Sequence, residues 1–218
     1  MSTLASPAFP QGISGVIFDC DGVMIDSTEA NREYYNRILA YFGMPPMTGE
    51  QENYAFMATS AQALEFLLPE RLHASIPTAR KVVDYREKIM PLVKIFPGFL
   101  DFVGNLHNYG IKMAVLTNRT AEGMQAIMDI LAMPLYFDPI VTASSGCCKP
   151  QPCGALSILS QWGADASSVL YVGDSEVDRQ TAEAAKIPFA VAPGARTKLA
   201  GRIQAKSYAG LADSIGLS

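Results

Sequence analysis

The sequence predicts an α/β fold: a doubly wound parallel sheet with a small all-helical cap domain inserted after the first strand. Short apolar runs alternate with helix-like segments along most of the chain, which is the pattern of successive βαβ units. The runs end in polar or glycine-rich turns, and in a parallel sheet such turns meet at one edge. One long segment near the start breaks the alternation and shows helical periodicity alone.

Five apolar runs are predicted to be buried strands. One helix-like segment precedes each of the last four strands. The strands cover residues 16–18, 112–116, 140–141, 169–172 and 189–191. The helix-like segments cover residues 98–109, 121–131, 153–162 and 177–185.

Residues 27–94 are predicted to be helical, because their apolar residues recur at helical spacing and prolines separate the repeats. A helical insertion directly after the first strand can cover the strand ends and exclude water from them. The alternative is an ordinary crossover packed on the sheet, although crossovers are usually much shorter. We therefore expect a flexible tail over 1–12, an α/β core over 13–26 and 95–218, and a helical cap over 27–94.

Composition narrows the class of protein. The 218 residues are 49% hydrophobic and carry a net charge of −4, so a broad basic surface for nucleic acid is not expected. Charged residues, glycine or proline interrupt each apolar stretch before it reaches the length of a membrane span. The first dozen residues lack the pattern of a signal peptide. These features predict a cytoplasmic protein without nucleic-acid or membrane partners, and they leave the oligomeric state open.

The four cysteines are expected to be free thiols of a reducing compartment. Cys20, Cys147, Cys148 and Cys153 form no Cys-x-x-Cys pair, and neither histidine lies near them in the sequence. A zinc site is the alternative. Cys20 lies between two acids, and its side chain is expected to point into the core.

The first strand ends in two carboxylates, Asp19 and Asp21, followed by Gly22. Two acids at the carboxyl edge of a sheet can divide the work of nucleophile and of acid or base, provided that their ionisation differs. A bound cation would keep Asp19 ionised, while Asp21 carried the proton. The alternative is a polar turn, which Asp and Gly also favour.

Other strand ends supply the remaining parts of a phosphoryl-transfer site. Thr117 offers a hydroxyl and a backbone amide to an anionic oxygen, and Asn118 can extend that cradle. Lys149, in the turn before Pro150, adds a positive charge for a phosphoryl group. Asp19 and Asp174 together provide the carboxylates that Mg²⁺ requires, with water and substrate phosphate as the other ligands.

With these residues in order, the sequence resembles the haloacid dehalogenase-like superfamily over roughly residues 15–193. Its four motifs are Asp19-Cys-Asp21-Gly-Val, Leu116-Thr117-Asn118, Lys149-Pro150 and Gly173-Asp174-Ser-Glu-Val-Asp178. The helical insert, Phe96-Pro97-Gly98-Phe99 and Tyr171-Val-Gly-Asp-Ser are similar to the phosphoglycolate phosphatase and β-phosphoglucomutase branch.

The resemblance implies catalytic roles for the two acids. Asp19 would attack phosphorus and form an aspartyl-phosphate. Asp21 would protonate the leaving alkoxide and then take a proton from the hydrolytic water. In true haloacid dehalogenases, the position equivalent to Asp21 resembles an aromatic residue rather than an acid. Asp21 therefore argues against dehalogenation.

The resemblance also implies the binding residues. Thr117 and Lys149 would hold the phosphoryl oxygens. Mg²⁺ would be bound by the carboxylates of Asp19 and Asp174 and by the backbone carbonyl of Asp21. Asp178 would either orient metal-bound water or Lys149 from outside the ligand sphere, or favour the start of the following helix.

Two departures from the branch concern the substrate. The stretch 53–60, comparable to a glycine-containing specificity loop, lacks glycine, and Val23 replaces the more common Thr. We therefore expect a Mg²⁺-dependent phosphatase for a small phosphorylated metabolite, resembling phosphoglycolate or a sugar phosphate. A phosphomutase using the same aspartyl-phosphate is the alternative, followed by a non-catalytic binding module.

Overall fold

The computed structural model describes residues 6–195 and 198–217. Within these residues the strands are β1 (Gly15–Phe18), β2 (Ile25–Asp26), β3 (Lys94–Ile95), β4 (Lys112–Leu116), β5 (Phe137–Val141), β6 (Val169–Gly173), β7 (Phe189–Val191) and β8 (Ile203–Gln204). The α-helices are α1 (Thr28–Tyr41), α2 (Gly49–Met57), α3 (Ser60–Leu67), α4 (Ile76–Val82), α5 (Phe99–Asn108), α6 (Ala121–Ile130), α7 (Cys153–Trp162), α8 (Glu176–Ala184) and α9 (Tyr208–Ser214).

The chain forms two compact units. The first contains Met1–Ile25, Ile95–Thr117 and Pro134–Ser218, and the second contains Asp26–Lys94 and Asn118–Met133. Helix α6 therefore belongs with the helices of the insert. The short strands β2 and β3 pair with each other, and the boundary between the units falls within both.

The first unit is built on a parallel six-stranded sheet in the order β5-β4-β1-β6-β7-β8. Strand β1 lies between β4 and β6, with Phe18 beside Val115 on one side and Val172 on the other. The Asp19 amide donates to the Val172 carbonyl at 3.0 Å and continues this register. The residues that follow β1, β4 and β6 therefore meet at one edge of the sheet.

Both faces of β1 are covered, which explains why its run is continuously apolar. The Phe18 ring packs edge-to-face against Phe99 and Phe102 of α5, with ring centroids 5.5 and 6.1 Å apart. Ile17 faces the opposite layer and belongs to a buried cluster with Ile158 of α7 and Ala182 of α8. Helices on both faces confirm the predicted doubly wound architecture.

The second unit is helical, as the apolar periodicity predicts. Tyr34 of α1 packs its ring against Tyr35 and Tyr85, with centroids 5.1 and 5.7 Å apart. Arg119, ahead of α6, donates to the Tyr85 hydroxyl at 2.8 Å. The periodic residues beyond α4 do not continue as an α-helix: they form a π-helical turn (Tyr85–Ile89) and a 3₁₀ turn (Met90–Leu92).

The stretch comparable to a specificity loop is mostly helical. Residues 53–57 complete α2, and Ser60 already begins α3. Each helix starts with a reciprocal capping box, formed by Thr48 with Gln51 and by Thr59 with Gln62. The two adjacent helix caps leave only a short connection between two helices, in agreement with the helical character expected for residues 27–94.

The sequence patterns missed β8 and α9, which follow the last predicted strand. A strand of two residues is too short to establish a period, and α9 spans barely two turns. Both belong to the first unit, where β8 pairs with β7 in parallel.

The described part of the expected tail is packed. Phe9 is only 2% exposed, and the Arg202 guanidinium lies 5.6 Å from its ring centroid. Residues 6–12 therefore differ from the loose segment that we expected, and residues 1–5 lie outside the described residues.

No helix in the described ranges is long and apolar enough to cross a membrane. The cytoplasmic location stays a prediction.

Two of the four cysteines are not free thiols, which corrects the sequence-based expectation. Cys147 and Cys153 form a disulfide, with Cα atoms 6.2 Å apart. The turn through Lys149 brings the two residues within bonding range. Cys20 and Cys148 lie outside this disulfide, and Cys20 is fully buried, in keeping with a side chain that belongs to the core.

Candidate active site

Asp19 stands directly after the buried strand β1 and is itself 7% exposed. Its Oδ1 accepts a hydrogen bond from the Cys20 amide at 2.7 Å and lies 2.7 Å from Lys149 Nζ. Burial raises the pKa of Asp19 to about 7, an effect that Lys149 opposes and that the charges of Asp178 and Asp21 reinforce. A carboxylate in this position is ionised readily only if further positive charge is nearby.

Lys149 reaches this edge from the turn between β5 and α7. Its Nζ lies 2.6 Å from Asp178 Oδ1 and 2.7 Å from Asp19 Oδ1, and the residue is 8% exposed. Burial alone would lower the pKa of Lys149, but the charges of Asp178 and Asp19 outweigh it and hold the pKa well above its usual value. Lys149 is therefore a permanent buried cation between two carboxylates.

Asp178, in the first turn of α8, is held by an unusually complete set of donors. Oδ1 receives Lys149 Nζ at 2.6 Å and the Tyr171 hydroxyl at 3.1 Å. Oδ2 receives the Ser175 hydroxyl and amide at 2.6 and 3.1 Å, and the Asp174 amide at 3.3 Å. In this geometry Asp178 both caps the helix, in a reciprocal box with Ser175, and fixes Lys149.

Asp174 follows β6, the strand beside β1, and is 7% exposed. Burial raises its pKa well above the usual range, and the neighbouring charges of Asp178 and Asp19 add to that rise. The backbone of Gly22 comes close to this carboxylate: a Cβ on Gly22 would overlap the Asp174 side chain. Gly22 also has φ +75°, so glycine is required here for both conformation and space.

Asp19, Asp174 and Asp178 form a group suited to a metal ion, because one carboxylate oxygen from each lies within 4.8 Å of the others. Lys149 contacts two of these three buried carboxylates, Asp19 and Asp178. Burial raises the pKa values of Asp19 and Asp174, and the negative charges of the neighbouring carboxylates add to that rise. With their ionised charges, these four side chains carry a net negative charge. A divalent cation would relieve it, so these residues fit one. Since both Asp178 oxygens are engaged by donors, Asp19 and Asp174 are the better ligands.

The other predicted site residues are Asp21, Thr117 and Asn118. Asp21 is half-buried and near enough that its charge raises the pKa values of Asp19 and Asp174. Thr117 is 2% exposed, and its amide donates to the Val141 carbonyl at 3.0 Å. That amide is therefore part of the sheet, so the hydroxyl is the Thr117 group that we assign to the anion. Asn118, the next residue, is half-buried and belongs to the second unit.

Sequence reasoning missed three residues that shape the site. Tyr171 and Ser175 donate hydrogen bonds to Asp178. Gly22 has no side chain and so leaves space for the Asp174 carboxylate. A signal was available for Ser175, since a serine three residues before an acid is a helix-capping pattern. Tyr171 gave none, because a tyrosine in an apolar strand looks like any other core residue.

A parallel sheet whose central strand ends in a buried aspartate, beside a lysine and two further aspartates, defines a class of hydrolase. The chain matches the family described as haloacid dehalogenase-like hydrolase over residues 16–192. It belongs to this family and is an enzyme of the hydrolase class, as the motifs predicted.

Particular relatives are similar over most of their length. A phosphoglycolate phosphatase of Cereibacter sphaeroides is 30% identical, with 81% of this chain and 84% of the relative covered. A crystal structure of a haloacid dehalogenase superfamily hydrolase of subfamily IA from Geobacter sulfurreducens has 31% identity and a TM-score of 0.74, covering 99% of this chain and 100% of that one. CbbY from Rhodobacter sphaeroides, solved in complex with phosphate, shares the fold with a TM-score of 0.75 at 20% identity, covering 91% and 96%.

Proposed function

We propose that this protein is a Mg²⁺-dependent phosphatase that hydrolyses a small phosphorylated metabolite through an aspartyl-phosphate on Asp19. The observation that carries the proposal is the contact between Asp19 and Lys149 at the end of β1, with Asp174 and Asp178 beside it. A buried nucleophile next to a fixed cation is what in-line transfer of an anionic group requires. The chain is a phosphoric monoester hydrolase.

In the first half of the reaction, Lys149 and the Thr117 hydroxyl hold the phosphoryl oxygens. An Asp19 oxygen attacks phosphorus while the bond from phosphorus to the ester oxygen breaks. Asp21 gives its proton to the departing oxygen, so that an alcohol leaves rather than an alkoxide. Asp19 then carries the phosphoryl group as an acyl phosphate.

In the second half, a water molecule attacks the same phosphorus. Asp21, now ionised, takes a proton from that water, and the bond between phosphorus and the Asp19 oxygen breaks. Inorganic phosphate is released, with Asp19 again a carboxylate and Asp21 again protonated. Lys149 stays charged throughout, because its neighbours hold its pKa high.

Asp19 and Asp174 would hold Mg²⁺ through their carboxylates, together with the backbone carbonyl of Asp21. When bound, the ion neutralises charge on the phosphoryl group and favours the ionised form of Asp19. Asp178 would remain outside the ligand set, since Lys149, Tyr171 and Ser175 occupy its oxygens.

The substrate class rests on the relatives. Curated relatives from several bacteria carry the name phosphoglycolate phosphatase, at 27–30% identity. This supports a small phosphorylated metabolite, and phosphoglycolate is the first to test. We assign the choice of leaving group to the helical segment 27–94, the predicted cap domain.

The test is phosphate release from a panel of small phosphate esters and sugar phosphates, with Mg²⁺ or with a chelator. We expect release that stops in chelator, returns with Mg²⁺ and is poorly supported by Ca²⁺, which prefers more ligands at longer distances. Product formed only from a sugar monophosphate, and only with added bisphosphate, would identify a phosphomutase instead. Full activity in chelator would overturn the metal assignment, and no turnover on any ester would favour a binding module.

A further inference from the structure

The turn that carries Lys149 is closed by a covalent bond that phosphoryl transfer does not require. The disulfide between Cys147 and Cys153 encloses five residues, 148–152, and Lys149 is one of them. The sulfur atoms and the lysine differ sharply in accessibility. Cys153 is exposed and Cys147 half-buried, whereas Lys149 is 8% exposed. A reductant in solution can therefore meet the disulfide without entering the site.

One end of this ring is anchored to the core of the first unit. Cys153 is the first residue of α7, and Ala155 and Ile158 of that helix belong to the buried cluster beneath the sheet. Gly154 packs so closely on β4 that a Cβ there would lie 2.6 Å from Cδ1 of Leu116. The disulfide thus ties Cys147, two residues before Lys149, to a fixed point beside β4, the strand that Thr117 follows.

We propose that Cys147 and Cys153 form a thiol–disulfide exchange site, through which a dithiol reductant loosens the hold of Lys149 on the phosphoryl group. This rests on the proposed role of Lys149 in binding that group. With the bond intact, the turn has few conformations and Lys149 is presented to Asp19. With the bond reduced, the turn is restrained by its backbone hydrogen bonds and by the contacts of Lys149 alone, so ordering it around an anion costs more conformational entropy.

A dithiol is the co-reactant that reduces the disulfide, and it supplies both electrons. One thiolate of the dithiol attacks Sγ of Cys153, the more exposed residue of the pair. The disulfide bond breaks, and Cys147 leaves as a thiolate that takes a proton. The second thiol of the reductant then attacks the mixed disulfide and releases Cys153 as a thiol. Two electrons pass to the protein pair, and the dithiol becomes a disulfide.

The first measurement counts thiols in the full-length protein purified without reductant. The protein is alkylated in denaturant and its peptides are mapped by mass spectrometry. We expect label on Cys20 and Cys148, and label on Cys147 and Cys153 only after dithiothreitol. Complete labelling of all four cysteines before reduction would overturn the proposal.

The second measurement compares p-nitrophenyl phosphate hydrolysis before and after dithiothreitol. We expect reduction to raise the KM and the inhibition constant of inorganic phosphate by about threefold to tenfold, with a smaller change in kcat. Cys147→Ser with Cys153→Ser should show the reduced values in either condition, whereas Cys148→Ser should respond like the wild type. Identical constants for oxidised and reduced wild-type protein would overturn the proposal without any variant.

The same measurements distinguish a failure of the proposed function from a failure of the exchange site. If the oxidised protein hydrolyses no ester with Mg²⁺, the proposed function fails. The exchange site is then judged by the thiol map and by calorimetric binding of inorganic phosphate in the two redox states. Phosphate affinity that falls on reduction supports it, and unchanged affinity overturns it.

Discussion

The ammonium group of Lys149 lies 2.6 Å from Oδ1 of Asp178, and both side chains are almost completely buried. The same oxygen accepts the Tyr171 hydroxyl at 3.1 Å, while the other oxygen is held at the start of α8. Asp178 is thus fixed by contacts with β6 and with the start of α8, and it in turn fixes the position of Lys149. The placement of the phosphoryl-binding charge depends on residues that would not touch the substrate.

Replacing Tyr171 by Phe should weaken phosphate binding. The change leaves Asp178 Oδ1 with one donor fewer, so Lys149 is drawn towards Asp178 and away from the phosphoryl group. We expect KM for p-nitrophenyl phosphate to rise about threefold to tenfold, with a smaller loss in kcat and about 1–2 kcal/mol of stability. Steady-state kinetics and denaturant unfolding measure the two effects.

Thr181→Val is the matched control. Thr181 is buried on α8, and its hydroxyl donates to the Val177 carbonyl of the same helix at 2.7 Å. This variant should lose a comparable amount of stability with unchanged KM. If Tyr171→Phe also left KM unchanged, Tyr171 would be a core residue without influence on Lys149.

Gly22→Ala should disturb the metal site. The new methyl group would overlap the Asp174 carboxylate and add strain at φ +75°. We expect the Mg²⁺ concentration for half-maximal activity to rise by about tenfold or more, because a ligand must shift. Gly43→Ala separates the two causes: Gly43 has φ +68° but open space around it, so its variant should be strained with normal activation by Mg²⁺. Normal activation of Gly22→Ala would refute this assignment.

The metal-free protein should become less stable as the pH rises from about 4 to 7. The pKa of Asp19 is about 7 in the folded protein and 3.8 for a free side chain, so in this window the folded state binds more protons than the unfolded state. Linkage then lowers the free energy of unfolding with rising pH, by on the order of 2–4 kcal/mol. The raised pKa of Asp174 changes the stability in the same direction.

Urea unfolding across this pH range, in chelator and in Mg²⁺, measures the effect. Mg²⁺ should restore stability most at pH 7 and above, where the carboxylates are ionised. Asp19→Asn should flatten the pH dependence, since its amide does not titrate. A wild-type protein whose metal-free stability increased from pH 4 to 7 would contradict the electrostatic picture of the site.

The end of α2 should influence the choice of substrate. Tyr54 and Met57 are exposed there, and the Tyr54 ring lies 4.3 Å from that of Phe66. If the helical insert supplies the contacts to the leaving group, Tyr54→Ala should change the ranking of phosphate esters and spare p-nitrophenyl phosphate. Tyr41→Ala removes a still more exposed ring from α1 and should leave the ranking unchanged. Equal losses on every ester would assign Tyr54 to stability rather than to specificity.

The sequence predicted the parts of the site that depend on order along the chain. An apolar run followed by Asp19 indicates a buried strand that delivers an acid to the sheet edge, and Thr117 and Asp174 follow the strands on either side of it. Because parallel strands share one direction, these endings had to converge. Helical periodicity likewise identified the insert.

Other features depend on contacts that sequence order does not encode. Tyr171 gains its role from Asp178, seven residues away, which faces it only once α8 packs on β6. The bond between Cys147 and Cys153 requires the turn through Lys149, and no Cys-x-x-Cys spacing announces it. The starts of α2 and α3 could have been located from the sequence, because Thr48 with Gln51 and Thr59 with Gln62 have the capping-box spacing.

The most direct test of the account is to trap the phosphoenzyme. Protein turning over a radiolabelled phosphate ester with Mg²⁺ is quenched in acid at millisecond to second intervals, and the labelled peptide is mapped. The covalent mechanism predicts a hydroxylamine-sensitive acyl phosphate on Asp19, and neither label nor turnover in Asp19→Asn. Label on another residue, or an Asp19→Asn protein that still hydrolyses the ester at a substantial rate, would contradict it.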